Sequence, residues 1–194
     1  LTKRLLTIAR DLWAKPQANI PQACGNMAKA KAAYRFFKNE EVSMDKILKP
    51  HYESTYKRMQ GEKIVLAIQD TTTLNYSAHP AMEGTGFIGS SKEGAIGLLV
   101  HNTLAMNTEG TPLGLLDVQC WVRDKEKYGK RHKRHELPIE EKESNKWLKS
   151  FNAAGMAKKE CPETLMISVG DREADIYELF ELARQDPNGA NVLV

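Results

Sequence analysis

Two short apolar runs, each followed by an aspartate, decide the predicted fold of this chain. The first reads Ile64-Val65-Leu66-Ala67-Ile68-Gln69-Asp70, and the second extends from Thr164 to Gly170 and ends at Asp171. Apolar runs of roughly four to eight residues are typical of buried strands. Both acids are therefore predicted at the carboxyl ends of separate strands, which form the edge of an open α/β sheet where binding sites are built.

Patterns between and after these runs predict a hairpin, two helices and a last strand. A glycine-rich loop over 84–97 precedes two strands, 98–106 and 113–122, which a turn joins into an antiparallel hairpin. Helices are predicted over about 139–154 and directly after Asp171, and an apolar strand over 191–194. This order predicts an α/β fold with an antiparallel hairpin at one side of the sheet. The predicted core faces of the helices consist of Trp147, Leu148, Phe151, Ile176, Leu179, Phe180 and Ala183.

Helical spacing dominates residues 1–60. A first helix is predicted up to Pro16, a second over 26–38, and a third from an N-cap at Ser43 to about Met59, with a kink at Pro50. These helices predict a small all-helical domain over 1–60, followed by an α/β domain over 61–194. The apolar face predicted for the second helix is Ala30, Ala33, Tyr34 and Phe37.

The charge is unevenly distributed along the chain. Residues 1–63 contain 13 Lys and Arg against 6 Asp and Glu, a net charge of +7, whereas residues 64–194 have a net charge of −4, which together give the +3 of the whole chain. A basic front domain suggests a polyanionic partner, although a solvated helical face produces the same pattern. No apolar run approaches the roughly 20 residues that cross a membrane, so no membrane partner is expected. Three scattered cysteines without CxxC spacing favour reduced thiols and a cytoplasmic location.

The two aspartates allow a structural and a catalytic interpretation. Taken singly, Asp171 is a good N-cap for the helix that follows, and Asp70 is a residue that closes a turn. Taken together, two carboxylates from neighbouring strand ends are suitable ligands for Mg²⁺, which takes one or two protein carboxylates plus substrate phosphate. Thr71, Thr72 and Thr73 then either orient groups of the site or belong to a β-turn.

Several sequence blocks resemble one known family. The clearest are Asp70-Thr71-Thr72 and Asp171-Arg172-Glu173-Ala174-Asp175-Ile176. In these blocks the chain resembles the DDE transposases of bacterial insertion sequences, in the branch of transposon five. Further matching blocks span most of the chain in the family's order: 33–37, 97–101, 112–116 and 141–148.

This resemblance implies a helical DNA-binding domain followed by a ribonuclease-H-like catalytic domain. It makes Asp70 the first catalytic acid and Asp171 the second, with two Mg²⁺ or Mn²⁺ ions in the intact site. The third acid is a glutamate in a Tyr-x2-Arg-x3-Glu-x6-Lys motif, which this sequence lacks. Glu173 and Asp175 lie at the helix start and are assigned to its surface. The implied partners are double-stranded DNA, as transposon ends and target, and a second copy of the protein when DNA is bound.

Candidate DNA contacts lie in the helical domain and in one basic loop. The loop 130–135 is either a solvated segment or a strip of phosphate contacts, and the resemblance favours the second alternative. The predicted contacts are Lys3, Arg4, Arg10, Lys29, Lys31, Arg35, Lys38, Lys130, Arg131, Lys133 and Arg134.

The sequence thus predicts the front part of a DNA transposase. The chain is expected to be incomplete because it opens inside an amphipathic helix without an initiator Met and closes within an apolar strand. In the intact enzyme the reaction is metal-dependent phosphodiester cleavage and strand transfer. The alternatives are a non-catalytic DNA-binding remnant and a ribonuclease-H-like nuclease without transposition activity.

Overall fold

A computed structural model of the protein describes residues 1–89, 94–123 and 137–194. The chain divides into two units, Leu1–Pro50 and His51–Val194. The division falls inside one helix, α4 (Met44–Met59), and lies before the boundary at residue 60 that the sequence pattern favoured. The second half of α4 therefore belongs with the sheet.

The first unit is helical because its apolar residues recur at helical spacing and its turns carry capping residues. It contains α1 (Thr2–Ala14), α2 (Ile20–Cys24), α3 (Met27–Phe37) and the start of α4. At the start of α3 the Asn26 side chain accepts a hydrogen bond from the backbone amide of Lys29. At the start of α4 the Ser43 hydroxyl accepts one from the backbone amide of Lys46, which confirms the predicted N-cap at Ser43.

The apolar face predicted for the second helix is wrong in part. Ala30 and Ala33 are buried as expected, but Tyr34 and Phe37 are about half exposed, and Phe36 fills the core instead. Alanine is found both in the core and at the edge of a buried helix face, so alanines in the sequence do not show which side of the helix is buried. The core of this unit is Ile8, Cys24, Ala30, Ala33 and Phe36.

The second unit is built on one mixed sheet. Its strands are β1 (Ile64–Asn75), β2 (Gly86–Phe87), β3 (Ile96–Asn107), β4 (Pro112–Trp121), β5 (Leu165–Val169) and β6 (Asn191–Leu193). β1 pairs antiparallel with β3, and β3 pairs antiparallel with both β4 and β2. On its other side β1 pairs parallel with β5, which pairs parallel with β6. The predicted α/β fold with its hairpin is therefore confirmed.

Two α-helices follow the hairpin in the part of this unit that the structure describes. They are α5 (Asn145–Glu160) and α6 (Tyr177–Gln185), each preceded by a short 3₁₀ turn. Helix α5 starts later and ends later than predicted, because 139–141 forms the 3₁₀ turn. Trp147 and Phe151 are buried, as expected, whereas Phe180 is exposed and Leu182 takes its place beside the core.

The predicted end of the first strand is wrong. β1 continues past Asp70 to Asn75, and the residues 69–75 pair with Gly97–Thr103 of β3. β5 ends at Val169, so among the described residues the second half of β1 has only one strand neighbour, β3, and its exposed side chains are mostly polar. The stretch 84–97, which was predicted as a loop, also contains a strand, the short β2.

Helix α5 covers one face of the sheet. Alternate residues of β1 and β5, among them Val65, Ala67 and Met166, are fully buried and pack with Trp147 and Phe151 of α5. The intervening residues point to the opposite face and are only partly buried or exposed. No helix among the described residues is long and apolar enough to cross a membrane.

Candidate active site and DNA-binding surface

The register of the sheet places Asp70 and Asp171 at the same sequence distance from the last residue pair of β1 and β5. In the parallel pair of β1 and β5, Ile68 is the partner of Val169. Each aspartate lies two residues beyond its strand's member of this pair, Asp70 within β1 and Asp171 just after the end of β5. Asp70 alternates with the buried Gln69 and so points to the face that α5 does not cover, and the charges of both aspartates act on the pKa of His101. The pairing is consistent with neighbouring carboxylates, and a shared metal site at the two acids stays a prediction.

Each carboxylate has one engaged oxygen. The backbone amide of Thr71 donates to Asp70 Oδ1 over 2.8 Å, and the amide of Glu173 donates to Asp171 Oδ1 over 2.8 Å. Asp171 is therefore the N-cap of the 3₁₀ turn, as the structural interpretation predicted. Both side chains are exposed, and within the described residues neither Oδ2 atom accepts a hydrogen bond. The capping role and a ligand role are compatible.

The donor set at this site fits a hard divalent ion. Two carboxylates with free oxygens match the needs of Mg²⁺ or Mn²⁺, which complete their shells with water and phosphate oxygens. In the part of the chain that the structure describes, no group of three or more His, Cys, Asp and Glu residues is arranged to hold a metal. A site formed by the described residues alone would therefore rest on two carboxylates.

A neighbouring amide extends this polar face. Asn102 of β3 is the cross-strand partner of Asp70, and side chains of directly opposed residues lie on the same face. Sequence reasoning missed Asn102, because the partner of a strand residue depends on a register that the sequence does not reveal. The only signal was a polar residue inside the apolar run of β3.

A chain of buried polar groups lies on the α5 side, behind the acids. Thr71 Oγ1 is 2.8 Å from His101 Nδ1, and His101 Nε2 is 3.4 Å from Gln69 Oε1. Gln69 Nε2 donates to Ser168 Oγ over 2.5 Å. We call these four residues, Thr71, His101, Gln69 and Ser168, the polar ladder. It crosses β3, β1 and β5, and sequence reasoning did not find it.

His101 is neutral at the centre of the polar ladder. Its side chain is fully buried and meets the Trp147 ring edge to face, with centroids 4.7 Å apart. Burial, reinforced by the charge of Lys146, lowers the pKa of His101 from 6.5 to about 4, although Asp70 and Asp171 act in the opposite direction. The hydrogen bonds assign a proton to Nε2, which donates to Gln69, and leave Nδ1 to accept the Thr71 hydroxyl.

The residues after Asp171 are tied to α5. Lys146 Nζ lies 3.4 Å from Glu173 Oε2 and 5.1 Å from the centroid of the Trp147 ring. The Lys146 side chain is only 10% exposed, against 67% for Glu173. Glu173 therefore forms a surface ion pair, and Asp175 is also exposed, in line with their assignment to the helix surface. Lys146 is a further residue that sequence reasoning missed.

The threonines after Asp70 have different environments. Thr71 is partly buried within the polar ladder, while Thr72 and Thr73 are exposed. All three lie within β1, so the β-turn alternative is wrong. Thr71 can orient Asp70, because its amide donates to the carboxylate and its hydroxyl is held by His101.

The basic residues of the helical unit are not equivalent. Lys29 forms an ion pair of 2.9 Å with Asp11, which is 17% exposed, so much of its charge is neutralised. Three exposed cations lie on one side of α3 with the exposed side chain of Tyr34: Lys31 and Arg35 within the helix, and Lys38 at its C-cap. The exposed cations of α1 are Lys3, Arg4 and Arg10. The loop cations Lys130, Arg131, Lys133 and Arg134 lie outside the described residues.

Comparison with known families identifies the helical region. Residues 1–42 match a family model described as transposase DNA-binding. The match covers α1, α2 and α3, including the basic face of α3. It supports the N-terminal region of a transposase at this end of the chain, and with it binding to DNA.

Proposed function

We propose that the protein acts in DNA transposition, as a member of the DDE transposases that its sequence resembles. The observation that carries this proposal is the parallel pairing of β1 with β5 as far as Ile68 and Val169, because an aspartate, Asp70 or Asp171, follows each of these residues two positions later. The chain also begins with a transposase DNA-binding region. The mixed sheet with its flanking helices is consistent with a ribonuclease-H-like catalytic domain. Dimer formation on paired DNA ends belongs to the same proposal.

The chemistry follows from what the two carboxylates offer. Asp70 and Asp171 would hold Mg²⁺ or Mn²⁺ through their free oxygens, each kept in place by an amide on its other oxygen. When bound, the metal supplies positive charge at the scissile phosphate and acidifies the attacking hydroxyl group. The chain's own contribution is positioning, because phosphoryl transfer depends mainly on alignment and charge stabilisation.

DNA docking is assigned to the exposed face of α3. Lys31, Arg35 and Lys38 place three cations within two helical turns, and Tyr34 lies among them with 52% of its surface exposed. Cations at this spacing make phosphate contacts, which give affinity without reading sequence. Lys29 is expected to contribute less because Asp11 already neutralises it.

Salt dependence of duplex binding tests this assignment with a matched pair. Lys31→Gln should lower the slope of log K against log salt by up to about 0.9, the value for one lost phosphate contact. Lys29→Gln, two residues away on the same helix, removes an equal formal charge and should leave the slope nearly unchanged. Equal effects of both substitutions would show that general charge, and not the α3 face, determines binding.

The acid pair is tested by metal binding and by cleavage. Mn²⁺ binding to the whole chain, measured by electron paramagnetic resonance, should be lost in Asp70→Asn and in Asp171→Asn. Because the sequence lacks the third acid of the family's motif, we expect no nicking of transposon-end DNA by this chain in Mg²⁺ or Mn²⁺. DNA binding with no aspartate-dependent Mn²⁺ binding would favour the non-catalytic remnant. Metal-dependent cleavage of any duplex, lost in Asp70→Asn, would favour a general nuclease.

A further inference from the structure

The polar ladder connects the two strands that carry the acids. Thr71 adjoins Asp70, and Ser168 precedes Asp171 by three residues on β5. We propose that His101 is a positioning residue for the acid pair: it holds Thr71 through Nδ1 and, through Gln69, ties the Asp70 strand to the Asp171 strand. This inference rests on the proposed metal-dependent function. It assigns to His101 a role that it exerts through Thr71 and Gln69, without contact with the metal.

The Thr71 arm acts directly on Asp70. The Thr71 hydroxyl is fixed by His101 at 2.8 Å, while the amide of the same residue donates to Asp70 Oδ1 at 2.8 Å. A β-branched side chain has few χ1 rotamers, so anchoring its hydroxyl also restrains its backbone. His101 therefore limits the orientations that the Asp70 carboxylate adopts.

The Gln69 arm links β1 to β5 where their pairing ends. Gln69 Oε1 accepts a hydrogen bond from His101 Nε2, and Gln69 Nε2 donates to Ser168 Oγ over 2.5 Å. Ser168 is the register partner of Ala67, in the last two residue pairs of these parallel strands. Among the described residues β1 and β5 have no backbone pairing beyond Ile68 and Val169, so a side-chain link between these strands has the most effect here.

His101 is itself held rigidly. Its ring is fully buried against Trp147, at an interplanar angle of 84°. Trp147 also packs close to Gly170, the residue before Asp171: a Cβ atom on Gly170 would lie 3.3 Å from Trp147 Cζ3. A buried polar chain is costly unless it is fully satisfied, and apolar side chains of similar size would stabilise the core at least as well. The ladder is therefore better explained by positioning than by stability.

Matched substitutions at Thr71 separate positioning from stability. Thr71→Val keeps the branched shape and removes the hydroxyl, whereas Thr71→Ser keeps the hydroxyl and removes the methyl group. We expect Thr71→Val to weaken Mn²⁺ binding by about tenfold or more, as changes to groups that orient metal ligands do. Thr71→Ser should bind Mn²⁺ close to wild type. Val65→Ala, a buried change at the other end of β1, destabilises the same strand without touching the ladder and should also leave affinity unchanged.

A second measurement does not depend on metal. The imidazole ¹⁵N spectrum of His101 should show the neutral Nε2–H tautomer, and Thr71→Val should move the Nδ1 resonance while Thr71→Ser leaves it in place. Wild-type Mn²⁺ affinity in Thr71→Val, with binding lost in Asp70→Asn, would overturn the positioning role and leave the proposed function intact. Equal Mn²⁺ binding by wild type and Asp70→Asn would overturn both. A proton on Nδ1 would overturn the positioning role whatever the metal affinity.

Discussion

Acidification should destabilise the sheet unit through His101. In the folded protein burial lowers the pKa of His101 to about 4, whereas the unfolded chain has the ordinary value of 6.5. Above pH 6.5 the imidazole is neutral in both states, so it contributes no pH dependence. Between pH 6.5 and 4 the unfolded state takes up a proton that the folded state does not, so stability falls as the pH falls.

The size of this effect follows from the difference in pKa. One pKa unit corresponds to about 1.4 kcal/mol, so the free energy of unfolding should fall by about 2 kcal/mol between pH 7 and pH 5, and by about 3 kcal/mol in all. His101→Gln has no titrating ring at this position. The free energy of unfolding of the wild type, minus that of His101→Gln, should therefore fall by the same amount between pH 7 and pH 5.

Urea unfolding at several pH values measures this difference. The chain has three tryptophans, and Trp13→Phe removes the one in the helical unit, so that fluorescence then reports only Trp121 and Trp147 of the sheet unit. Trp13 is 88% exposed, so its replacement should not disturb the core. Parallel pH dependences for wild type and His101→Gln, both in this background, would refute the reasoning, because other titrating groups are common to the two proteins.

Three further outcomes are expected. Thr103→Val should leave the free energy of unfolding unchanged or raise it by about 1 kcal/mol, because the buried Thr103 hydroxyl has no hydrogen-bond partner among the described residues; a loss of stability in urea unfolding would contradict this. Gly170→Ala should lower the free energy of unfolding by about 1–3 kcal/mol, because the added Cβ would lie 2.6 Å from the Cβ of Ala174. An unchanged free energy in the same assay would show that the turn relaxes without cost. Gly155→Ala in α5, where nothing lies within 4 Å of an added Cβ, should stabilise by up to about 1 kcal/mol, and a lower unfolding midpoint would be the contrary result.

The sequence was sufficient to predict the order of the main elements, except for the short α2 and β2, and the position of each aspartate after an apolar run. An apolar run followed by aspartate is a local pattern, and it occurs in both strands that matter. The end of β1 could not be predicted, because the residues 71–75 are polar except for Leu74 and, among the described residues, pair with β3 alone. Thr71 is partly buried and the other four are exposed, so no apolar alternation marks this part of the strand.

Apart from Thr71, which the sequence analysis assigned either to orienting groups of the site or to a β-turn, the supporting residues were beyond sequence reasoning for a related reason. His101 lies inside an apolar run and is 30 residues from Thr71 and 32 from Gln69 in sequence. Nothing in the neighbouring sequence indicates that this buried histidine contacts residues next to Asp70. Its partners follow from the antiparallel register, which places Thr71 directly opposite His101. Asn102 was missed because the same register places it opposite Asp70.

The alternation of β1 couples the metal site to the core. Gln69 and Thr71 point into the α5 face, whereas Asp70 points to the open face between them. A slip of one residue in pairing would exchange the two faces, so that Asp70 would enter the core and Gln69 would lose Ser168 and His101. Burying an unpaired carboxylate is strongly unfavourable, and so is leaving the ladder unsatisfied. The polar ladder, which we propose positions the acid pair, therefore also helps to specify the strand register.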